Sequence, residues 1–246
     1  MQEINAEEQT NFSILLSSAL NSSQLPEFLS QRIITNFAAN PSFLLDLFEI
    51  MQGDPFLYIL VDKQHSLPQD YEPDDLVELI NRSYRVNRAD LLLRKAAADA
   101  LEEMAAAART EGLTLLASSA YRSYGYQAQV YERNVSRYGQ EAADRESARP
   151  GHSQHQLGLV VDFGSITDAF ALTREGIWLA ANAGRFGWSL SYPDGYEEIT
   201  GYKWESWHYR YVGIELADFI ETHFDGIQQY ALRFIHEFKK VLQENN

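Results

Sequence analysis

Apolar residues recur at helical spacing over the first fifty positions, and in short strand-like runs mixed with further helical patterns after that. Pro26 precedes an apolar-periodic stretch that continues through Phe37. Pro41 opens a second, residues 43–51, which Gly53 can terminate. Asp54 and Pro55 mark a break. Beyond it residues 56–61 (FLYILV) predict a buried strand, followed by the turn-rich HSLPQDYEPDD. Asp90 is placed to cap a long helix over 91–111. The alanines of that helix (Ala96, Ala97, Ala100, Ala108), with Leu101 and Met104, suit close packing on a sheet, and Gly112 stops it. A strand is predicted at 113–118, a helix at 124–138, a polar loop at 139–151 and a buried strand at 157–163. Thr173 caps a helix running to Gly184. Strands follow at 187–192 and 207–212, with one or two helices from Gly213 onward.

Short strands in irregular alternation with helices predict an α+β domain, not a doubly wound one. The first 53 residues carry no chemically suggestive cluster, so they read as a helical N-terminal extension, with residues 54–246 as the domain that carries the chemistry.

Composition narrows the chemistry. With 45% hydrophobic and 22% charged residues, the 246-residue chain has the makings of a folded core. Its net charge of −15, from 35 acidic and 20 basic residues, opposes binding to nucleic acid or anionic lipid. There is no cysteine, so any metal must be held by His, Asp or Glu. The N-terminus lacks a basic leader region, and its apolar run over 12–20 is short and broken by serines. Neither a signal peptide nor a membrane-spanning helix is read there.

Three segments carry candidate chemistry. In Pro150-Gly-His-Ser-Gln-His-Gln-Leu-Gly-Leu-Val-Val-Asp-Phe-Gly164, His155 and Asp162 are separated by Gly158 and an apolar run. Imidazole and carboxylate are both good zinc ligands, although the segment alone is equally a capped turn leading into a core strand. In Tyr202-Lys-Trp-Glu-Ser-Trp-His-Tyr-Arg-Tyr211, Glu205 and His208 converge only if the chain bends near Ser206, since a regular strand sends them to opposite faces. A ligand histidine beside a carboxylate that is free to take a proton suits metal-assisted hydrolysis; the plainer alternative is an aromatic strand with a partly buried Glu and His. In Ser118-Ser-Ala-Tyr-Arg-Ser-Tyr-Gly-Tyr-Gln127, Arg122 offers forked donors, or is simply a surface arginine in a polar turn.

Taken in order, Ser119-Ala-Tyr-Arg-Ser123, Ser153-Gln-His-Gln-Leu-Gly-Leu-Val-Val-Asp162 and Glu205-Ser-Trp-His208 resemble the signature of the VanY-type D-alanyl-D-alanine carboxypeptidases. These zinc metallopeptidases share a fold with lysostaphin-like enzymes and the hedgehog domain. The resemblance covers about residues 56–215 and implies a small antiparallel sheet flanked by helices. It further implies that His155, Asp162 and His208 bind Zn2+, that Glu205 is the general base and that Arg122 stabilises the oxyanion or the substrate carboxylate. Tyr121, Ser123, Gln127 and Ser153 become substrate contacts. Ala120 stands where glycine is frequent and Gln154 where an acidic residue is frequent. His152 lies outside the pattern and reads as a residue behind the ligands or facing solvent; His65, His223 and His236 read as structural.

The implied reaction removes the C-terminal D-alanine of a peptidoglycan stem peptide, which places the enzyme in the periplasm or outside the cell. An L,D-carboxypeptidase or a dipeptidase on the same fold is the alternative within the class. A non-catalytic zinc-bearing module is the alternative outside it, and the retained Glu205 argues against that one. Two other peptidase types are excluded directly: no serine has lysine three residues on, and His236-Glu237 is followed by Phe-Lys-Lys instead of completing His-Glu-x-x-His.

Overall fold

The computed structural model describes residues 6–39, 42–80 and 82–245. Within them the chain forms two compact units, one from the residues up to Leu60 together with those from Phe219 onward, the other Val61–Asp218.

The first unit is helical. Helices α1 (Ala6–Ser22), α2 (Glu27–Ala39) and α3 (Ser42–Gln52) are followed by the single turn α4 (Pro55–Tyr58). α3 ends where Gly53 predicts, with Gly53 N–H bonded to the Ile50 carbonyl at 3.1 Å; Pro41, expected to open it, lies outside the described residues. α1 packs against the final helix, α11 (Gln228–Glu244). Phe43, Phe219, Phe224, Phe234 and Phe238 meet as an aromatic core, with the His223 ring 4.8 Å from Phe43, as a structural histidine would be. The strand predicted at 56–61 does not form. Asp54 accepts a bond from Phe56 N–H at 2.9 Å and Pro55 occupies the first helical position, so the apparent break is a helix start.

The second unit is built on a five-stranded sheet in the order β2-β4-β5-β7-β6. Its strands are β2 (Arg85–Val86), β4 (Leu116–Ser119), β5 (Val160–Phe163), β6 (Trp188–Leu190) and β7 (His208–Tyr211). β4, β5, β7 and β6 pair antiparallel, and only β2 joins parallel, at the β4 edge. β5 is central and wholly buried, so its VVDF run has no polar face to show in sequence. A separate antiparallel pair joins β1 (Leu76–Glu78) to β3 (Leu92–Arg94).

That pairing corrects the long helix expected from residue 91. Leu92–Arg94 is taken up as strand, and α5 (Lys95–Thr110) begins after it, while Asp90 pairs with Arg88 at 3.0 Å instead of capping. Of the predicted face of α5, Ala97, Ala100, Leu101, Met104 and Ala108 are buried, packed on β3, β1 and the 3-10 turn Ala183–Phe186, whereas Ala96, one position before Ala97, is turned to solvent. α6 (Tyr124–Tyr138) matches its predicted span. The loop expected over 139–151 instead contains α7 (Gln140–Glu146), because QEAADRE favours helix and Ala143 is buried against α6. α8 (Arg174–Asn182) starts at Thr173, whose hydroxyl accepts the Gly176 N–H at 3.0 Å. The short α9 (Glu197–Thr200) precedes β7, and α10 (Ile214–Phe224) follows it.

Candidate metal centre

Three elements of the sheet unit bring the centre together. Asp162 sits on β5, where its register partners are Ser119 on β4 and His208 on β7. His155 precedes β5 on a 3-10 turn, Gln154–Leu157, and the strand expected to begin at 157 starts only at Val160. Ser153 caps that turn through its hydroxyl, 3.3 Å from His155 N. Gly158 ends it with φ +69°, and a Cβ there would come within 3.0 Å of Arg94 Cγ and Leu76 Cδ2. Glycine is thus required twice over, and the turn it permits leaves His155 facing Asp162. Glu205 reaches the same place by the bend that its spacing from His208 demanded: His208 N–H bonds the Glu205 carbonyl at 3.2 Å across a turn at Ser206–Trp207.

His155 Nε2 lies 3.2 Å from Asp162 Oδ2, and His208 Nδ1 lies 3.1 Å from Asp162 Oδ1 and 3.2 Å from Glu205 Oε2. The two imidazoles meet edge to face at 5.0 Å. Each ring has its other nitrogen occupied. His155 Nδ1–H donates to the Ala120 carbonyl at 2.7 Å, and His208 Nε2–H points to Gln154 Oε1 at 3.4 Å. In the neutral form each ring turns a lone pair toward Asp162, from His155 Nε2 and from His208 Nδ1, and His208 reaches that form only by giving up a proton.

These residues fit a metal ion. One ligand atom from each of His155, Asp162 and His208 lies within 4.8 Å of the others, not far from the ligand-to-ligand separation of about 3.3–3.6 Å around one tetrahedral zinc. Asp162 Oδ1 is buried, and despite the approach of His208 it has no partner of hydrogen-bond geometry among the described residues. A buried carboxylate oxygen in that condition is costly unless a cation takes it up. The ligand side chains are 5 to 6% exposed whereas Glu205 keeps 17%, so Glu205 is where water reaches the cluster.

The electrostatics agree. Burial holds His155 down at about 4, a neutral imidazole. Burial would raise Asp162, but His155 and His208 outweigh it and keep the carboxylate well below its usual range. Burial raises Glu205, with His208 only partly opposing it, which makes the carboxylate a better proton acceptor. Burial pulls His208 down, yet the Asp162 and Glu205 carboxylates lift it to about 9.

Arg122 belongs to the same neighbourhood. Its backbone N–H bonds the His155 carbonyl at 3.2 Å, and its guanidinium feels the charges of Asp162 and Glu205. The fork is aimed by Gln127 Oε1 at 2.8 Å and Ser119 Oγ at 3.1 Å. Gln127 is itself buried, donating to the Ala148 carbonyl at 2.6 Å. Ser123 caps α6 by accepting Tyr126 N–H at 3.2 Å, and Tyr121 is anchored by its N–H to the Leu92 carbonyl at 2.8 Å. His152 stands half-buried, bonding the Asp62 carbonyl through Nδ1 at 2.7 Å, and His65 pairs with Asp62 at 2.8 Å.

Two contributors escape motif reading. Gln154 Oε1 accepts a bond from Ser191 Oγ at 2.8 Å and faces His208, and the Tyr192 ring packs 4.7 Å from the His208 ring. Gln154 was visible as a departure from pattern beside a ligand; Ser191 and Tyr192 carry no local signal.

An antiparallel sheet presenting two imidazoles and a carboxylate, with a glutamate open to water beside them, defines a metal-dependent hydrolase. Residues 90–214 match the family model described as VanY, D-alanyl-D-alanine carboxypeptidase, and the chain belongs to that family. A Bacillus subtilis (strain 168) protein bearing the name carboxypeptidase YodJ is 38% identical over 193 residues, 76% of this chain and 71% of that one. The D-alanyl-D-alanine carboxypeptidase of Enterococcus faecalis is 34% identical over 217 residues, 82% of this chain and 77% of the relative. Among solved structures, that of the LD-carboxypeptidase LdcB superposes with a TM-score of 0.61 at 38% identity, covering 68% of this chain and 85% of its own. A mutant of the vancomycin-resistance D,D-pentapeptidase VanY in complex with Zn(II) gives 0.57 at 34% identity, covering 67% and 93%.

Proposed function

We propose that this chain is a zinc carboxypeptidase that removes the C-terminal D-alanine from peptidoglycan stem peptides, working in the cell envelope. The observation that carries the reading is Glu205 Oε2 standing 3.2 Å from a nitrogen of a ligand histidine while keeping its own face open to water. His155 Nε2, one Asp162 oxygen and His208 Nδ1 would hold the zinc. When bound, zinc supplies Lewis acidity to water and to the scissile carbonyl. Glu205 takes the proton of the attacking water and returns it to the departing amine of D-alanine. Arg122, aimed by Gln127 and Ser119, donates its fork to the terminal carboxylate of the substrate or to the oxygen that gains charge. Ser153 and Ser123 hold the turns that carry His155 and Arg122, and Tyr121 and Gln127 complete this wall. All of these residues fall within Val61–Asp218. Among the described residues no helix is long and apolar enough to cross a membrane.

The likeness to LdcB supports a second reading, cleavage of an L,D bond that converts tetrapeptide to tripeptide. Mass spectrometry of muropeptides incubated with the zinc-loaded protein separates the two. Pentapeptides shortened to tetrapeptides support the first reading. Tripeptides formed from purified tetrapeptides, with pentapeptides untouched, replace it by the second.

A further inference from the structure

A cavity of about 260 Å³ opens in the sheet unit, lined by Lys63, Asp144, Ser147, Arg149, His152 and Tyr202. It adjoins the metal centre by two routes. Ser147 Oγ is 3.5 Å from Gln127 Nε2, and Gln127 aims Arg122. The Tyr202 ring is 5.0 Å from Tyr192, which packs on His208.

The charges around this cavity are matched one to one, with a single exception. Arg149 grips Asp144 through two bonds of 3.0 Å, and Asp144 also accepts from Tyr131. Arg145 grips Glu197 at 2.6 and 2.7 Å, and Lys203 pairs with Glu146. Lys63 has neither an ion-pair partner nor a hydrogen bond among the described residues. It is nevertheless held in place. Its stem crosses Gly201 so closely that a Cβ there would lie 2.9 Å from Lys63 Cδ, and its Nζ stands 4.9 Å from the centre of the Tyr202 ring. His152 spends Nδ1–H on the Asp62 carbonyl, so its Nε2 is left as an acceptor. Lys63 is exposed, so what sets it apart in a chain of net charge −15 is its seat across Gly201 and over Tyr202, which holds a free ammonium at the mouth of the cavity.

We propose that Lys63 and this cavity form a subsite for a carboxylate of the peptide substrate other than its C-terminal one, separate from the group that Arg122 holds. The inference rests on the function proposed above. Gln127 and Ser147 stand between the cavity and Arg122, so a different group of the same peptide enters it. Two sources share this chemistry: the free carboxylate of a γ-linked glutamyl residue, and that of a diamino-dicarboxylate residue further along the stem.

The test uses three synthetic pentapeptides ending in D-Ala-D-Ala: the parent, one with the γ-linked residue as its carboxamide, and one with the diamino residue as its carboxamide. Binding is measured by calorimetry on the zinc-loaded Glu205→Gln protein, with and without Lys63→Gln, and turnover on the protein that keeps Glu205. Lys63→Gln is expected to weaken parent binding roughly 5- to 10-fold, the scale of one charge-assisted contact that is partly open to water. It should raise KM by the same factor with kcat unchanged, and Lys63→Arg should restore most of the loss. One carboxamide peptide should bind the Lys63 protein as weakly as the parent binds the Lys63→Gln protein and lose nothing more on substitution, which names the source. Equal parent affinity with and without Lys63→Gln overturns the subsite, as does an equal loss for all three peptides. Failure of the native protein to release D-alanine from any of them sinks the proposed activity instead, and the binding comparison still decides the subsite.

Discussion

Asp162 and His208 stand opposite each other as register partners on β5 and β7, with His208 Nδ1 3.1 Å from Asp162 Oδ1. Side chains alternate between the faces of a strand, so a slip of one residue would turn one ligand away from the other. Strand register and metal site are therefore a single specification.

Glu205 and His208 should separate catalysis from metal binding. Glu205→Gln is expected to lose about 10²–10⁴-fold in kcat while retaining metal, because the amide cannot accept a proton and Glu205 is not among the three proposed ligands. His155→Ala and His208→Ala should lose the metal as well. Elemental analysis beside steady-state rates distinguishes these outcomes, and a metal-free preparation of undiminished activity would refute the zinc mechanism.

Gln154 orients His208 from behind, with Ser191 fixing the amide. Gln154→Leu should weaken zinc binding about 10- to 100-fold in a chelator competition, the usual scale for loss of a partner to a ligand imidazole. Gln154→Glu keeps an acceptor oxygen and should stay near the native affinity. A leucine variant that binds zinc as tightly as the native protein would show that packing alone holds the ring.

Zinc uptake should expel a proton. Without metal, burial pulls His208 down but Asp162 and Glu205 raise it to about 9, whereas His155 at about 4 is already neutral at pH 7. Zinc needs the His208 lone pair, so calorimetry at pH 7 in buffers of different ionisation enthalpy should report release of about one proton. Apparent affinity should climb about tenfold per pH unit from 7 towards 9 and then level off. The stability of the metal-free protein carries the opposite sign. A pKa raised on folding gives stability that is fully present below the unfolded value of about 6.5 and is lost as pH rises through about 9.

Arg122→Lys keeps the charge and discards the fork that Gln127 and Ser119 aim. If Arg122 grips the terminal carboxylate, KM rises and C-terminally amidated peptides are poor substrates of the native enzyme. If it serves the developing oxyanion, kcat falls with KM little changed. An unaltered kcat/KM would leave Arg122 a purely structural place in its turn.

Much of the centre was legible because its chemistry is local. The bend at Ser206 followed from the spacing of Glu205 and His208, whereas Gly158, which ends the turn before β5, fell inside the strand predicted at 157–163. The misreadings are cases where a distant partner or a cap decides. Leu92–Arg94 has the composition of a helix start, and only pairing with Leu76–Glu78 makes it strand. FLYILV has the composition of a strand, but Asp54 and Pro55 start a helical turn there. The segment 139–151 looked like loop because its polar residues hide Ala143, the one side chain that packs inward without any solvent exposure. The contributions of Ser191 and Tyr192 depend on β6 lying beside β7, which nothing in their own neighbourhood announces.

The strand order also sets a timetable for biosynthesis. β6 leaves the ribosome before β7, yet it joins the sheet only through β7, and until then β5 has an open hydrogen-bonding edge. A nascent chain ending short of His208 thus exposes the apolar VVDF strand to any stray partner, the situation in which strands add to the wrong chain. The same late strand brings the last metal ligand, so closing that edge and completing the metal site are one event, and no partly synthesised chain carries a finished site.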